Sequence, residues 1–357
     1  MLIYLSLLRL LYLVTFFEAA IAEKHRLQKW FARYENAFSN LTRGNCSTEY
    51  QIYVKDSIGN ATIYPDLEIW QIDDTISPLL NCLLEETPEL YKTILASSQV
   101  LLGLMPTILV NVGPSLHETA ILQTYGKRHI LGVLVALGSP SVLFDNTVGL
   151  RELVASILSL KDSIPTSLLW GPNHVTIILE YIMAITAIAN IGEVCYEIGV
   201  KSALTISQEE QALPAIWICI GALIHILGGV ILRVAQKKRQ PGGFWVSYLN
   251  FDFLRWLERQ FSPPVKIEPI EFELRPCSVF EMVVSWLIGI LATLNIIWGT
   301  VLFSSILFAP LEEALWIVLR IMLSAILCQI VVGFEICVIR EQKSSDRELA
   351  RMVACAL

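Results

Sequence analysis

Charge is what this chain has least of. Only 17% of its 357 residues are Asp, Glu, Lys or Arg, and the balance is acidic, with a net charge of −7 when histidine is neutral. Outside one short cluster, Gln236-Lys237-Lys238-Arg239, no basic face has the density that a nucleic acid demands, which excludes nucleic acid as a partner. Catalytic signatures are lacking too. There is no His-Glu-x-x-His, no Gly-x-x-x-x-Gly-Lys, no Gly-x-Ser-x-Gly and no Cys-x-x-Cys. The sequence therefore names no catalytic residue, no metal-ligand set and no cofactor, and it points away from an enzyme.

Apolar side chains take the place of charge, making up 54% of residues with a mean hydropathy of +0.58. They come in blocks. Runs of about 20, the length that crosses a hydrocarbon core as helix, lie near residues 94–113, 175–197, 213–235, 281–304 and 314–338. A sixth, 129–144, is shorter and carries a Gly138-Ser139-Pro140 break, so it reads as a re-entrant or interfacial segment. The expected fold is all-α, a polytopic membrane protein with about five transmembrane helices and a small N-terminal ectodomain. Residues 1–22 read as a signal peptide ending in the small-x-small pattern Ala20-Ile21-Ala22. Arg9 lies inside that apolar run, which keeps an uncleaved anchor as the alternative.

Three independent signals bear on topology. All three Asn-x-Ser/Thr acceptors, Asn40, Asn45 and Asn60, fall in residues 23–93, and glycosylation happens only on the luminal side. Cys46 and Cys82 share that segment, and a disulfide between them persists only in an oxidising compartment. Lys and Arg give the third. With the N-terminal domain outside and a membrane domain over 94–339, the cytosolic segments 114–173, 236–279 and the tail 340–357 carry four, seven and four basic residues; the outer loops carry only Lys201. If 129–144 also crossed, thirteen basic residues after position 113 would lie outside and three inside. A seven-span rival, with the N-terminal run uncleaved and 129–144 crossing, escapes that count but puts every acceptor in the cytosol.

The N-terminal domain reads as mostly helical, with Trp30, Phe31, Tyr34 and Phe38 at near-helical spacing and a second helix from about Thr87 into the first span. Loop 236–279 begins with the basic cluster and seven aromatics between Phe244 and Phe261. An interfacial helix is the first reading, with anionic lipid as candidate partner at Lys237, Lys238 and Arg239, and a protein-binding helix is the alternative.

Ionisable groups within spans are costly and mark where to look for function. The second run holds Glu180, Asn190, Glu193 and Glu197, and the last holds Arg320 at a depth similar to that of Asn190 and Glu193. An Arg320–Glu193 pair that fixes helix packing is the plainer reading, and a substrate or proton path is the sharper one. His225 lies between Gly221 and Gly229, a face that lets another helix approach closely, as does the Ser285, Gly289, Thr293 stripe. Packing is again the plainer reading of both.

"EEALWIVLR" departs from the paired-glutamate motif of membrane-embedded prenyl-protein proteases, because Arg320 follows Glu313 at too great a distance and no companion histidine motif exists. The ending "ACAL" puts Cys355 one residue too late for a prenylation box. "SSQVLLGLMPTILVNVGPS" followed by "LGSPSV" resembles a group of uncharacterised multi-pass membrane proteins of filamentous fungi. That resemblance implies a many-helix membrane architecture and carries no activity. The expected role is receptor-like or scaffolding, in a plasma or other secretory-pathway membrane, acting through binding to protein partners. The alternative is a transporter or channel with a polar path near Glu193 and Arg320.

Overall fold

The computed structural model describes residues 27, 29–55, 76–124, 126, 128–140, 142–143, 174–206, 212–237, 260–261 and 279–356. The signal segment, Asn60, Lys238 and Arg239 lie outside the described residues. The chain is mostly helical. Its elements are α1 (Glu35–Arg43), α2 (Ser47–Lys55), α3 (Ser77–Glu86), α4 (Glu89–Val112), α5 (Leu116–Thr124), α6 (His129–Gly138), α7 (His174–Lys201), β1 (Ala203–Leu204), α8 (Leu213–Lys237), α9 (Val279–Ser304), β2 (Ile306–Leu307) and α10 (Leu311–Ala356).

Five helices, α4, α7, α8, α9 and α10, are long and apolar enough to cross a membrane. Their outward residues are large and apolar, as lipid-facing positions require: Val175, Ile178, Ile182 and Ile185 on α7, and Leu315, Trp316, Leu319 and Leu323 on α10, are all exposed. Helix α6 is different. Ten residues at 1.5 Å make about 15 Å, half the hydrocarbon thickness.

The chain forms two compact units that interleave along the sequence, and each long helix gives residues to both. Unit 1 takes residues 1–107, 192–217 and 297–320. Its core joins Leu27, Trp30, Tyr34, Phe38, Cys46, Leu79, Leu80 and Leu83 to Leu95 of α4, Ala203 of β1 and Phe308 just after β2. Trp30 stacks on Phe38 with ring centroids 4.7 Å apart, and Phe308 meets both rings edge-on. Burial pushes the Tyr34 and Tyr50 phenols up from their usual value, so neither brings charge into this core. Cys46 and Cys82 are joined in a disulfide with Cα atoms 5.8 Å apart, tying α3 to the turn between α1 and α2. β1 and β2 pair antiparallel, Ala203 opposite Leu307 and Leu204 opposite Ile306, and the Leu27 amide donates to the Val200 carbonyl at 3.1 Å.

One detail departs from the sequence reading. Trp30 and Phe31 precede the helix, which begins at Glu35, and their burial comes from tertiary packing instead of a helical stripe. The helix expected from about Thr87 into the first span is present as α4, its start set at Glu89 because Thr87 is extended (φ −80°, ψ 125°) ahead of Pro88.

Unit 2 takes residues 108–191, 218–296 and 321–357. Helices α5 and α6 pack together as a hairpin. Ser115 and Glu118 cap α5 reciprocally: the Ser115 amide donates to Glu118 Oε2 at 2.8 Å, and the Glu118 amide to Ser115 Oγ at 3.3 Å. Eight of its nine residues are buried, so the hairpin lies inside the bundle and not on its surface.

Candidate functional site

Two ionic clusters stand within the helical segments. The first, in unit 1, contains the pair weighed from the sequence. Arg320 Nη2 donates to Glu193 Oε2 at 2.7 Å and Nη1 to Glu197 Oε2 at 2.8 Å, while Lys201 Nζ bonds Glu197 Oε1 at 3.0 Å. These groups sit at successive turns of α7, facing one position of α10. Two cations and two anions sum to zero. Glu193 is two-thirds exposed and Arg320 15% exposed, so the cluster is a charge-balanced chain open at one end.

The second cluster, in unit 2, holds Glu180, and the sequence reading did not assemble it. Arg128, in the turn between α5 and α6, donates from the same nitrogen, Nη1, to Glu180 Oε2 at 2.5 Å and to Glu335 Oε1. All three side chains are at least 95% buried. The hairpin carries the arginine in, α7 supplies one carboxylate and α10 the other. Next to them the Ile130 amide donates to Gln260 Oε1 at 3.2 Å, and the Tyr181 hydroxyl donates to the Gln260 carbonyl at 3.2 Å. The Tyr181 and Phe261 rings lie 4.9 Å apart, so residues 260–261 close over this end of the hairpin. One cation and two anions do not balance.

The remaining polar candidates fix packing. Asn190 Nδ2 donates to Ser324 Oγ at 2.7 Å, joining α7 to α10. His225 is fully buried, with Nδ1 2.8 Å from Thr119 Oγ1. The glycine face around it receives the hairpin and its extension: a Cβ at Gly229 would collide with Gln123, one at Gly228 would lie 2.9 Å from Leu116, and one at Gly221 3.1 Å from the Pro140 carbonyl. On the stripe of α9, Thr293 Oγ1 donates to the Gly289 carbonyl within its own helix. Among the described residues no group of three or more His, Cys, Asp or Glu side chains is arranged to hold a metal ion.

In unit 1, Asn40 and Asn45 are exposed, and Asn45 Nδ2 donates to Glu86 Oε2 at 2.7 Å. Of the residues in the buried cluster, Arg128 reads from the sequence as part of a cytosolic loop, and Glu335 stands near the end of the last apolar run. The signal for Glu335 was present: it is an acid inside "IVVGFEICVI", the same kind of signal that picked out Glu180. No family model, no curated protein and no solved structure matches this chain.

Proposed function

We propose that this is a polytopic protein of the plasma membrane or another secretory-pathway membrane, with a glycosylated N-terminal domain outside and its C-terminus in the cytosol, acting as a receptor-like or scaffolding component through binding. The observation that carries this reading is the shared core of unit 1. The starts of α4, α8 and α10 and the ends of α7 and α9 belong to that unit, where Ala203 and Phe308 pack with the disulfide-linked helices. Residues packed into one core lie on one side of a membrane. With α4 and α7 each crossing once, the segment between them makes no net crossing, which supports five spans over seven. The disulfide supports an oxidising compartment for that side, and the basic residues of 236–279 support the cytosol for the other.

On this reading the exposed face of α1 (Glu35, Asn36, Ala37, Asn40, Arg43) is an outward surface, carried on a platform tied to the spans. A membrane-impermeant crosslinker applied to intact cells or sealed organelles is expected to trap the chain in a discrete higher-mass complex. Charge reversal of Glu35 and Arg43 should abolish it. A chain that stays monomeric under those conditions overturns the reading.

A second reading, a transporter, is favoured by one observation: the uncompensated Arg128–Glu180–Glu335 cluster inside unit 2. The Glu193–Arg320 chain favours it less, because its charges cancel. Flux of a polar solute into vesicles reconstituted with the protein, above that of empty vesicles, would select this reading.

A further inference from the structure

Arg128 places two hydrogens of one nitrogen on two carboxylates. Glu180 and Glu335 thus meet at one guanidinium nitrogen, in side chains at least 95% buried. Glu335 Oε2 is enclosed and has no hydrogen-bond partner among the described residues. An ionised carboxylate only accepts, so Glu335 Oε2, buried with no donor beside it among the described residues, is the oxygen on which a proton would stand. The charge sum gives the same count. Among the described residues Arg128 offsets one carboxylate, and a second negative charge at so buried a site would stand alone.

We propose that Arg128, Glu180 and Glu335 form a binding site for one exchangeable proton. The proton is taken from the aqueous phase onto a carboxylate oxygen and returned to it on release; no carbon bond changes and no electron moves. The occupied site is neutral, and the vacated site carries one net negative charge. Among the described residues, the charged and titratable groups placed at it are Arg128 from the turn before α6, Glu180 and Tyr181 from α7, and Glu335 from α10. Gln260 and Phe261 adjoin it and do not titrate. The site also answers why a cation is carried into the bundle on a short hairpin. Arg128 cancels one acid and leaves the other to depend on a proton. This assignment goes beyond the binding reading and does not rest on it.

Infrared spectroscopy on the full chain in lipid nanodiscs tests it. The wild type should show a protonated-carboxyl C=O band that shifts in D2O. Glu180→Gln and Glu335→Gln should each lose that band, because the remaining carboxylate and Arg128 then balance without a proton. Should either glutamine variant fail to fold, Glu180→Asp and Glu335→Asp keep a carboxyl group and should move the band in frequency. Raising the pH across the titration of the band should remove it reversibly in the wild type. A wild type without the band overturns the proposal, as does a band indifferent to all four substitutions. A band abolished by sodium at fixed pH also overturns it, since a metal cation would then be the ligand.

Discussion

Arg320 and Arg128 are both arginines inside apolar surroundings, and their neighbours give them different work. Arg320 is one link in Glu193–Arg320–Glu197–Lys201, where every charge has an opposite within 3.0 Å. Its part is to join α7 to α10. Arg320→Ala and Glu193→Ala should each lower folded yield, and the double substitution should recover part of the loss, because Glu197 keeps Lys201 as partner. Yield measured by fluorescence-detected size exclusion across the four proteins checks this; strict additivity would remove the coupling. Arg128→Gln should be worse than Arg320→Ala, since it strands two buried acids; breaking such a cluster costs about 3 to 5 kcal/mol. Arg128→Gln combined with Glu335→Gln should regain folded protein. The sequence made the first cluster legible because both of its helices read as spans, so depth could be compared along them. Arg128 was not legible. It sits in a turn between two short helices, and nothing local says that a turn is carried into the interior.

At the scale of elements, hydropathy made the five long helices legible, since a membrane demands a continuous apolar stretch of fixed length. It was silent on α5, whose His117, Glu118 and Gln123 break the apolar pattern while packing neighbours bury His117 and Gln123. The local signal was the capping sequence Ser115-x-x-Glu118, which announces a helix start without reference to hydrophobicity. The hairpin depends on glycines of α8 for its seat. A side chain at Gly221 meets a backbone carbonyl, which cannot swing aside as a side chain can. Gly221→Leu should therefore displace the segment around Pro140, lowering the apparent melting temperature and the recovery of folded protein. Gly333 on α10 has open space where its Cβ would stand, so Gly333→Ala should match or slightly exceed the wild type. Equal stability of the two variants would show that α8 can move away from the hairpin at no cost.

The whole molecule is ordered by a constraint that no single helix carries. Unit 1 holds the starts of α4, α8 and α10 and the ends of α7 and α9, the pattern that the proposed topology of five crossings requires. The segments 202–205 and 305–309 belong to the same unit as the disulfide-linked helices, and Ala203 and Phe308 pack in one core with them. The disulfide closes a separation of 36 residues and contributes about 3 to 4 kcal/mol by loop entropy, enough to matter to a small helical domain. That stabilisation exists only where thiols stay oxidised. Cys46 and Cys82 should resist alkylation until a reductant is added. Asn40 and Asn45, exposed on the same domain, together with Asn60 should carry the glycans that a glycosidase removes, and their joint change to Gln should abolish the mass shift. The decisive measurement tests parity directly, in a protein whose three natural acceptors have been replaced. An Asn-x-Thr acceptor placed in 207–211 should become glycosylated, because the proposed topology puts the segment between α7 and α8 outside. The same acceptor placed in 240–250 should stay bare. Glycan on the second and not the first would put the disulfide domain in the cytosol and reverse the orientation. Glycan on both would mean that α8 does not cross, and the alternation of sides would fail at that helix.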